Sequence, residues 1–205
     1  MTIGTVMKKA LIFDLGGVLI DYDGQATLQA VWKLCDCSLT RLETIVREVD
    51  RPFGLGQLNS AHLYAILQKQ AGVTAPYQAV ATAFCSRQQR NERGLAFARR
   101  LHEEPDVSIG IISNTNPIHA AWLYAHIPEF ESFSPVLLSH EIGFLKPDPP
   151  IYRLALERVG CEAEESIFID DRQVNVDAAK KVGMNAILYQ DRESTISAVR
   201  GLLNL

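Results

Sequence analysis

The stretch ALIFDLGGVL, residues 10–19, decides the fold, because four apolar residues end at Asp14 and two glycines follow shortly after. Two later apolar runs end in the same way. Residues 108–112 are followed by Ser113-Asn114, and residues 167–169 are followed by Asp170-Asp171. Short apolar runs of this kind are typical of buried parallel strands. The carboxyl ends of such strands line one crevice in an open α/β sheet, so we predict that these polar residues converge there.

The rest of the chain divides into two patterns. Between Asp21 and about Gly94 the apolar spacing is helical, with breaks at 36–38, 52–60 and 72–76, which predicts four helices and no strand. From Gly94 onward helices and strands alternate, which predicts a parallel sheet between two layers of helices. We place the strands at 108–112, 135–138, 166–169 and 186–189, and the helices at 94–103, 117–125, 150–159, 174–182 and 193–203.

Bulk composition narrows the class of function. The 205 residues carry a net charge of −4, which argues against a nucleic-acid partner because such binding needs a basic surface. No window approaches the ~20 apolar residues of a membrane span, and no signal-peptide pattern is evident. We therefore expect a cytoplasmic protein with a small diffusible substrate and no membrane partner. The four cysteines lack zinc-ligand spacing and are read as small buried hydrophobes.

The chain resembles the haloacid dehalogenase-like hydrolases. The resemblance rests on the order Asp14, Ser113-Asn114, Lys146 within GFLKP (143–147), and Asp170-Asp171. It is nearest to the branch of sugar-phosphate phosphatases and epoxide-hydrolase amino-terminal domains. The resemblance implies a Rossmann-like catalytic core formed by residues 1–20 and 94–205. It also implies a mobile helical cap, residues 21–93, inserted after a central first strand.

The resemblance also implies a reaction. Asp14 corresponds to the nucleophile that attacks phosphorus and forms an aspartyl-phosphate, which splits one difficult displacement into two easier ones. Lys146 would neutralise charge on Asp14 and on the phosphoryl oxygens. Ser113, with Asn114 as a weaker candidate, would bind the phosphate. The expected substrate is a small phosphorylated metabolite, such as a sugar phosphate.

A magnesium ion is the cofactor that this family pattern implies. Its ligands would be the carboxylates of Asp14 and Asp171 and the backbone carbonyl of Gly16, since Mg²⁺ prefers hard oxygen ligands. On an extended backbone Asp170 would point away from Asp171. It would therefore not bind the metal directly but would orient the groups that do. Asn175 would either orient a water or Asp171, or cap the following helix.

Gly16 departs from the phosphatase pattern. Most phosphatases of the family carry at this position a second Asp that protonates the leaving group, and such assistance is typically worth ~10²–10⁴-fold. Three explanations are open: a leaving group that departs unaided, such as the anomeric oxygen of a sugar-1-phosphate; a substitute acid from the cap or from His119, Asp21 or Asp23; or a chain that no longer turns over.

Two other functions are therefore kept beside the phosphatase. A 2-haloacid dehalogenase uses the equivalent carboxylate and also lacks the second acid, but Asp170-Asp171 would repel its anionic substrate. A catalytically impaired protein that binds a phosphorylated ligand would follow from the loss at Gly16. Separately, Arg87, Arg90 and Arg93 either steer anions or form a solvated helix face.

Overall fold

The computed structural model describes residues 9–203, which form seven strands and ten α-helices. The strands are β1 (Lys9–Phe13), β2 (Ile20–Tyr22), β3 (Gln88–Arg90), β4 (Val107–Ser113), β5 (Val136–Leu138), β6 (Ser166–Asp170) and β7 (Asn185–Leu188). The helices are α1 (Gly24–Trp32), α2 (Leu39–Gly54), α3 (Ser60–Ala71), α4 (Tyr77–Cys85), α5 (Glu92–His102), α6 (Pro117–His126), α7 (Ser139–Ile142), α8 (Pro149–Val159), α9 (Gln173–Lys181) and α10 (Arg192–Leu203). Short 3₁₀ helices cover Pro128–Glu131 and Ala163–Glu165. Over these residues, no helix has both the length and the apolar character that a membrane crossing requires.

Five strands form one parallel sheet in the order β5-β4-β1-β6-β7. The first strand is therefore central, and Phe13 pairs with Ile111 on one side and with Ile169 on the other. This arrangement confirms the predicted α/β class. Crossover connections run outward in both directions from β1, so the carboxyl ends of β1, β4 and β6 form the crevice in which ligands of such sheets bind.

Alternate residues of the central strands bury two separate cores, because successive side chains of a strand point to opposite faces. Leu11 and Phe13 pack into one core with side chains from α5, α6 and α10. Ile12 faces the other core, which contains Tyr152 of α8 and Ala179 of α9. These side chains are almost fully buried, so the sheet is covered on both faces. The strand ends that carry polar residues are thereby held rigidly.

Helices α1 to α4 form the insertion after β1, and they surround an apolar cluster of their own. The cluster also receives Ile118 from α6 of the core. The prediction of four helices is correct, but the predicted break at Pro52 is wrong, because α2 continues to Gly54. Pro52 lies in the last helical turn, where its carbonyl accepts hydrogen bonds from the N–H groups of Gln57 and Leu58 at 2.9 and 3.3 Å. Having no N–H, Pro52 makes no hydrogen bond to the carbonyl four residues before it, and the helix ends within one turn of this position.

The prediction that residues 21–93 contain no strand is also wrong. β2 and β3 pair in antiparallel fashion where the chain enters and leaves the helical insertion, with Tyr22 opposite Gln88. We call this two-stranded element the ribbon. Each strand has only three residues and carries charged or amide side chains, so it lacks the apolar alternation by which a strand is detected.

Candidate active site

The predicted polar residues converge at the carboxyl end of the sheet. Asp14 directly follows β1, and its N–H donates to the carbonyl of Ile169 on the neighbouring strand at 2.8 Å. Ser113 and Asp170 are the last residues of β4 and β6. Lys146 reaches the same point from the loop that follows α7. The parallel topology thus brings together side chains that are up to 156 positions apart in the sequence.

Lys146 bridges two carboxylates. Its Nζ donates to Oδ2 of Asp170 at 2.7 Å and lies 2.7 Å from Oδ1 of Asp14. The residue is only 4% exposed, and its ammonium group lies 5.5 Å from the centroid of the Phe168 ring. At so buried a position the pairing is what allows the charges to be present at all. One cation is shared between two anions, which leaves the site with an excess of negative charge.

The Asp14 carboxylate is held on one oxygen and open on the other. Its Oδ1 accepts from the N–H of Leu15 at 2.6 Å and contacts Lys146, whereas its Oδ2 has no donor within residues 9–203. Burial raises the pKa of Asp14 to about 7, and the nearby charge of Asp170 adds to this while Lys146 opposes it. A positive ion beside the open oxygen would favour the ionised, nucleophilic form.

Three carboxylates could hold a metal ion, because oxygens of Asp14, Asp170 and Asp171 lie within 4.8 Å of one another. Asp170 is already occupied: besides Lys146, it accepts from the N–H of Arg172 at 2.8 Å and from the amide of Asn175 at 2.9 and 3.0 Å. The side chain of Asp171 accepts no hydrogen bond from another described side chain. Open carboxylate oxygens on Asp14 and Asp171 are hard oxygen donors of the kind that fits Mg²⁺.

Asn175 has a different partner from the one predicted. It neither caps α9 nor reaches Asp171; its amide instead donates to both oxygens of Asp170. The cap position is Arg172, since α9 begins at Gln173. The hydroxyl of Tyr152 donates to the Asn175 carbonyl at 3.0 Å, which fixes this turn of the helix. Asn175 therefore positions the carboxylate of Asp170, which in turn pairs with Lys146.

Gly17 lets Asp171 lie close to the loop after β1. A β-carbon built on Gly17 would lie 2.4 Å from Oδ2 of Asp171, and the residue has φ of +80°. A side chain here would therefore displace the carboxylate as well as strain the backbone.

We expect Gly17→Ala to lower the affinity for Mg²⁺ by about tenfold or more, the range found when a residue that positions a metal ligand is changed. Magnesium titration by calorimetry measures this. Gly160→Ala is the matched control, because Gly160 also has positive φ (72°) but its added β-carbon would meet nothing within 4 Å. Equal loss of affinity in both variants would show that backbone strain, and not displacement of Asp171, is responsible.

Two reciprocal pairs of hydrogen bonds tie the loop after β4 to the start of α7 and to the loop that follows α7. The Asn114 amide donates to the Lys146 carbonyl at 2.8 Å, and its oxygen accepts from the Lys146 N–H at 2.7 Å. The buried Ser139 hydroxyl accepts from the Thr115 N–H and donates to the Thr115 carbonyl, both at 2.9 Å. The predicted phosphate-binding role of Asn114 thus gives way to positioning of Lys146. Ser139 was missed, because nothing in its sequence context singles it out.

Ser113 keeps its hydroxyl available for a ligand. The helix after it is capped by Asn116, whose side chain accepts from the N–H groups of Ile118 and His119. The Ser113 hydroxyl has no hydrogen-bond partner in the described part of the chain. It lines an inner chamber of the crevice together with Gly16 and Tyr22. A donor at the end of β4 is thus free for a phosphoryl oxygen.

His119 does not suit the role of substitute acid. Its Nε2 lies 3.1 Å from the Phe84 carbonyl of α4, and its Nδ1 lies 3.2 Å from the Asn116 amide. These partners fix the neutral tautomer that carries its proton on Nε2, and burial lowers the pKa of His119. The ring instead joins the insertion to the core.

The remaining predicted charges lie outside the crevice, and three of them have structural partners. Asp21 is exposed and accepts from the Asn91 amide at 3.3 Å, and Asp23 caps α1 through the Ala26 N–H. Neither lines the crevice. Arg90 pairs with Glu92 and with the buried Glu129, so it does not steer anions. Arg87 and Arg93 are exposed, as expected for a solvated surface.

The outer part of the crevice lies between the insertion and the core. Asp50, Arg51 and Gly54 of α2 face Lys146 and Arg172 across it. The insertion is docked on the core at the same place, because Arg51 pairs with Asp148 at 3.2 Å. The helical pattern alone could not identify these residues, since each is set by how α2 packs against the loops of the core.

The fold and the acidic site define a class of hydrolase. The family model of haloacid dehalogenase-like hydrolases matches residues 8–183, and the chain belongs to this family. This confirms the recognition made from the motifs, and the chain is accordingly a hydrolase.

Curated relatives with similar sequences include several phosphatases. A sesquiterpene phosphatase of Aspergillus oryzae is 29% identical over 201 residues, which is 95% of this chain and 96% of that protein. A D-ribitol-5-phosphate phosphatase of Bacteroides thetaiotaomicron is 28% identical over 193 residues, 86% of this chain and 89% of that one. A drimenol cyclase of Aspergillus calidoustus is 24% identical, and the chain spans only 35% of its length.

Solved structures share the fold. A haloacid dehalogenase family enzyme of Bacteroides thetaiotaomicron, crystallised with magnesium and inorganic phosphate, has a TM-score of 0.81 and 23% identity over 92% of this chain and 98% of that one. A 2-haloacid dehalogenase of Pseudomonas syringae pv. tomato has a TM-score of 0.65 and 21% identity over 89% of this chain and 86% of that one. Both likenesses support the same architecture.

Proposed function

We propose that the chain is a magnesium-dependent phosphatase of a small phosphorylated metabolite, acting through an aspartyl-phosphate on Asp14. The observation that carries this proposal is that one lysine bridges Asp14 and Asp170, while Asp171, beside Gly17, forms no ion pair with any described residue. The excess negative charge calls for a cation, and a cation beside a carboxylate with an open oxygen suits attack on a phosphoryl group.

Each residue of the site has a separate role in the proposed reaction. The open oxygen of Asp14 attacks phosphorus, and the bond from phosphorus to the leaving oxygen breaks. Lys146 offsets charge on Asp14 and on the phosphoryl group, and the Ser113 hydroxyl donates to a phosphoryl oxygen. Asn114 and Asn175 hold Lys146 and Asp170 in place. Magnesium, when bound by Asp14, Asp171 and the Gly16 carbonyl, supplies further neutralisation of the phosphoryl charge.

The lining of the crevice favours a substrate whose leaving group is polar. Its lining in the outer part is charged or hydrogen-bonding, with Asp50, Arg51, Asn116 and Arg172 among the residues that face the space. Such groups bind hydroxyls better than they bind hydrocarbon, whose burial against them would leave polar atoms unpaired. We therefore propose a sugar or polyol phosphate, in line with the ribitol-phosphate relative, over an isoprenoid phosphate.

Neither alternative function gains support from the site. A dehalogenase has to bind a carboxylate substrate, and Asp171 leaves uncompensated negative charge where that anion would lie. A binding protein without turnover would not need one Asp14 oxygen left without a hydrogen-bond donor among the described residues.

Phosphate release measured across a metabolite panel tests the proposal. We expect release to require Mg²⁺, to stop with excess chelator, and to return when Mg²⁺ is restored. Sugar and polyol phosphates should exceed a sesquiterpenyl phosphate of equal charge. Undiminished release in chelator would contradict the metal requirement, and halide release from 2-haloacids would favour the dehalogenase.

A further inference from the structure

Two charged side chains of the outer crevice have no partner of opposite charge. The charged residues that line this space are Asp50, Arg51, Lys146 and Arg172. Arg51 and Lys146 are engaged in the ion pairs described above. Asp50 and Arg172 form no ion pair and no side-chain hydrogen bond with any residue in the range 9–203. One of them comes from the insertion and the other from the core, so the crevice presents an unpaired anion and an unpaired cation.

The backbone fixes the position of both residues. The N–H of Arg172 donates to Oδ1 of Asp170 at 2.8 Å, and its carbonyl accepts the first hydrogen bonds of α9. Asp50 lies in α2, which packs closely on the core: a β-carbon on Gly54, one turn later, would lie 3.3 Å from Cδ2 of Leu145. A ligand would therefore meet two charges whose backbones are already ordered, which lowers the ordering cost of binding.

Hydroxyl groups complement both charges. A carboxylate only accepts hydrogen bonds and a guanidinium only donates them, whereas a hydroxyl does both. One hydroxyl can therefore donate to Asp50 while another accepts from Arg172. A second anionic group would be attracted by Arg172 but repelled by Asp50, and hydrocarbon would leave both side chains without a partner. An α-amino acid carries its two charges on one carbon, whereas a polyol presents a hydroxyl on every carbon and can contact both sides of the crevice.

We propose that Asp50 and Arg172 determine specificity for a leaving group that carries hydroxyls on at least two carbons, one bound by each side chain. The inference rests on the proposed phosphatase function and names the groups that select the leaving alcohol. Neither side chain takes part in the transfer of the phosphoryl group. Binding of hydroxyls away from the reacting bond instead holds the substrate in place, which raises the rate of a reaction that depends on positioning.

A matched pair of substrates tests the proposal. A pentitol phosphorylated on its terminal carbon and pentyl phosphate share a carbon chain and differ only in their hydroxyls. With Mg²⁺, the wild type should favour the pentitol by about a hundredfold or more in kcat/KM, about tenfold for each hydrogen bond to a charged group. Asp50→Ala and Arg172→Ala should each lower this preference about tenfold or more. p-Nitrophenyl phosphate, which also lacks aliphatic hydroxyls, replaces pentyl phosphate if turnover of the latter is too slow to measure.

Further variants separate hydrogen bonding from charge. Asp50→Asn keeps an acceptor oxygen and should retain most of the preference for the pentitol, whereas Asp50→Ala should not. Glu48→Ala is the matched control, because Glu48 is an exposed residue of the same helix that does not line the crevice; it should keep the wild-type preference. Asp50 and Arg172 are themselves exposed, so their substitution should leave folding intact.

Four results would overturn the proposal. They are a wild type without preference for the pentitol, alanine variants that lose activity equally on both substrates, an Asp50→Asn variant that behaves as Asp50→Ala, and faster phosphate release from O-phosphoserine than from the pentitol. The last result would show that the two charges bind a zwitterion. Absence of phosphate release from every substrate in Mg²⁺ would instead overturn the phosphatase function.

Discussion

Asp14→Asn should lower phosphate release by at least about 10⁴-fold, a loss of the size found when the nucleophile of a covalent mechanism is removed. The asparagine side chain keeps the shape of the carboxylate but cannot form a phosphoester by attack on phosphorus. It also removes one of the two anions that Lys146 bridges. Phosphate release with saturating Mg²⁺ measures the loss.

Isotope transfer identifies the atom that water attacks when the intermediate is hydrolysed. Turnover of the wild type in H₂¹⁸O should place the label in Asp14 if water attacked the carboxyl carbon, and in the phosphate if it attacked phosphorus; we expect the phosphate. Asp36→Asn, at an exposed position of the insertion, is the control and should retain full activity. Release by Asp14→Asn at more than a few per cent of the wild-type rate would exclude the covalent route through this residue.

Gly16→Asp is expected to raise the rate on ordinary alkyl phosphates by about 10²–10⁴-fold, the usual contribution of general acid catalysis. The substitution should be tolerated, because the added β-carbon meets nothing within 4 Å and Gly16 is not among the glycines with positive φ. The new carboxyl would face an already negative site, which favours its protonated form and hence its function as an acid. The gain should be measured as kcat on a sugar phosphate.

Gly16→Asn isolates the contribution of the proton. Its amide fills the same space but cannot protonate a leaving group, so it should not reproduce the gain. The effect of Gly16→Asp should shrink with p-nitrophenyl phosphate, whose leaving group departs without a proton. A gain of equal size for both substrates, or for both variants, would mean that the substitution acts through packing and not through acid catalysis.

The sequence was sufficient to predict the parallel sheet and the meeting of its polar strand ends. The reason is that alternating helices and strands predict a parallel sheet, and the carboxyl ends of parallel strands share one edge; the central place of the first strand was implied only by the family resemblance. The apolar run before each residue was enough to predict that Asp14, Ser113 and Asp170 lie at strand ends. Lys146 lies in a loop that follows α7 and not a strand, so its position was predicted from its sequence motif.

The partners of these residues could not be predicted, because they depend on tertiary distances. Asn175 was expected to orient a water or Asp171, or to cap the following helix, and its side chain contacts Asp170 instead. Asn114 was matched with phosphate, but its side chain is bonded to Lys146. A hydrogen bond between distant loops leaves no periodic signal in the sequence, whereas burial of a strand does.

The ribbon has a mechanical consequence. Because β2 and β3 carry the chain into and out of the insertion as paired neighbours, both backbone connections between the insertion and the core lie side by side. A rigid-body displacement of the insertion would therefore bend the backbone at this pair, and it would have to break the Arg51–Asp148 ion pair and the contact of His119 with the Phe84 carbonyl.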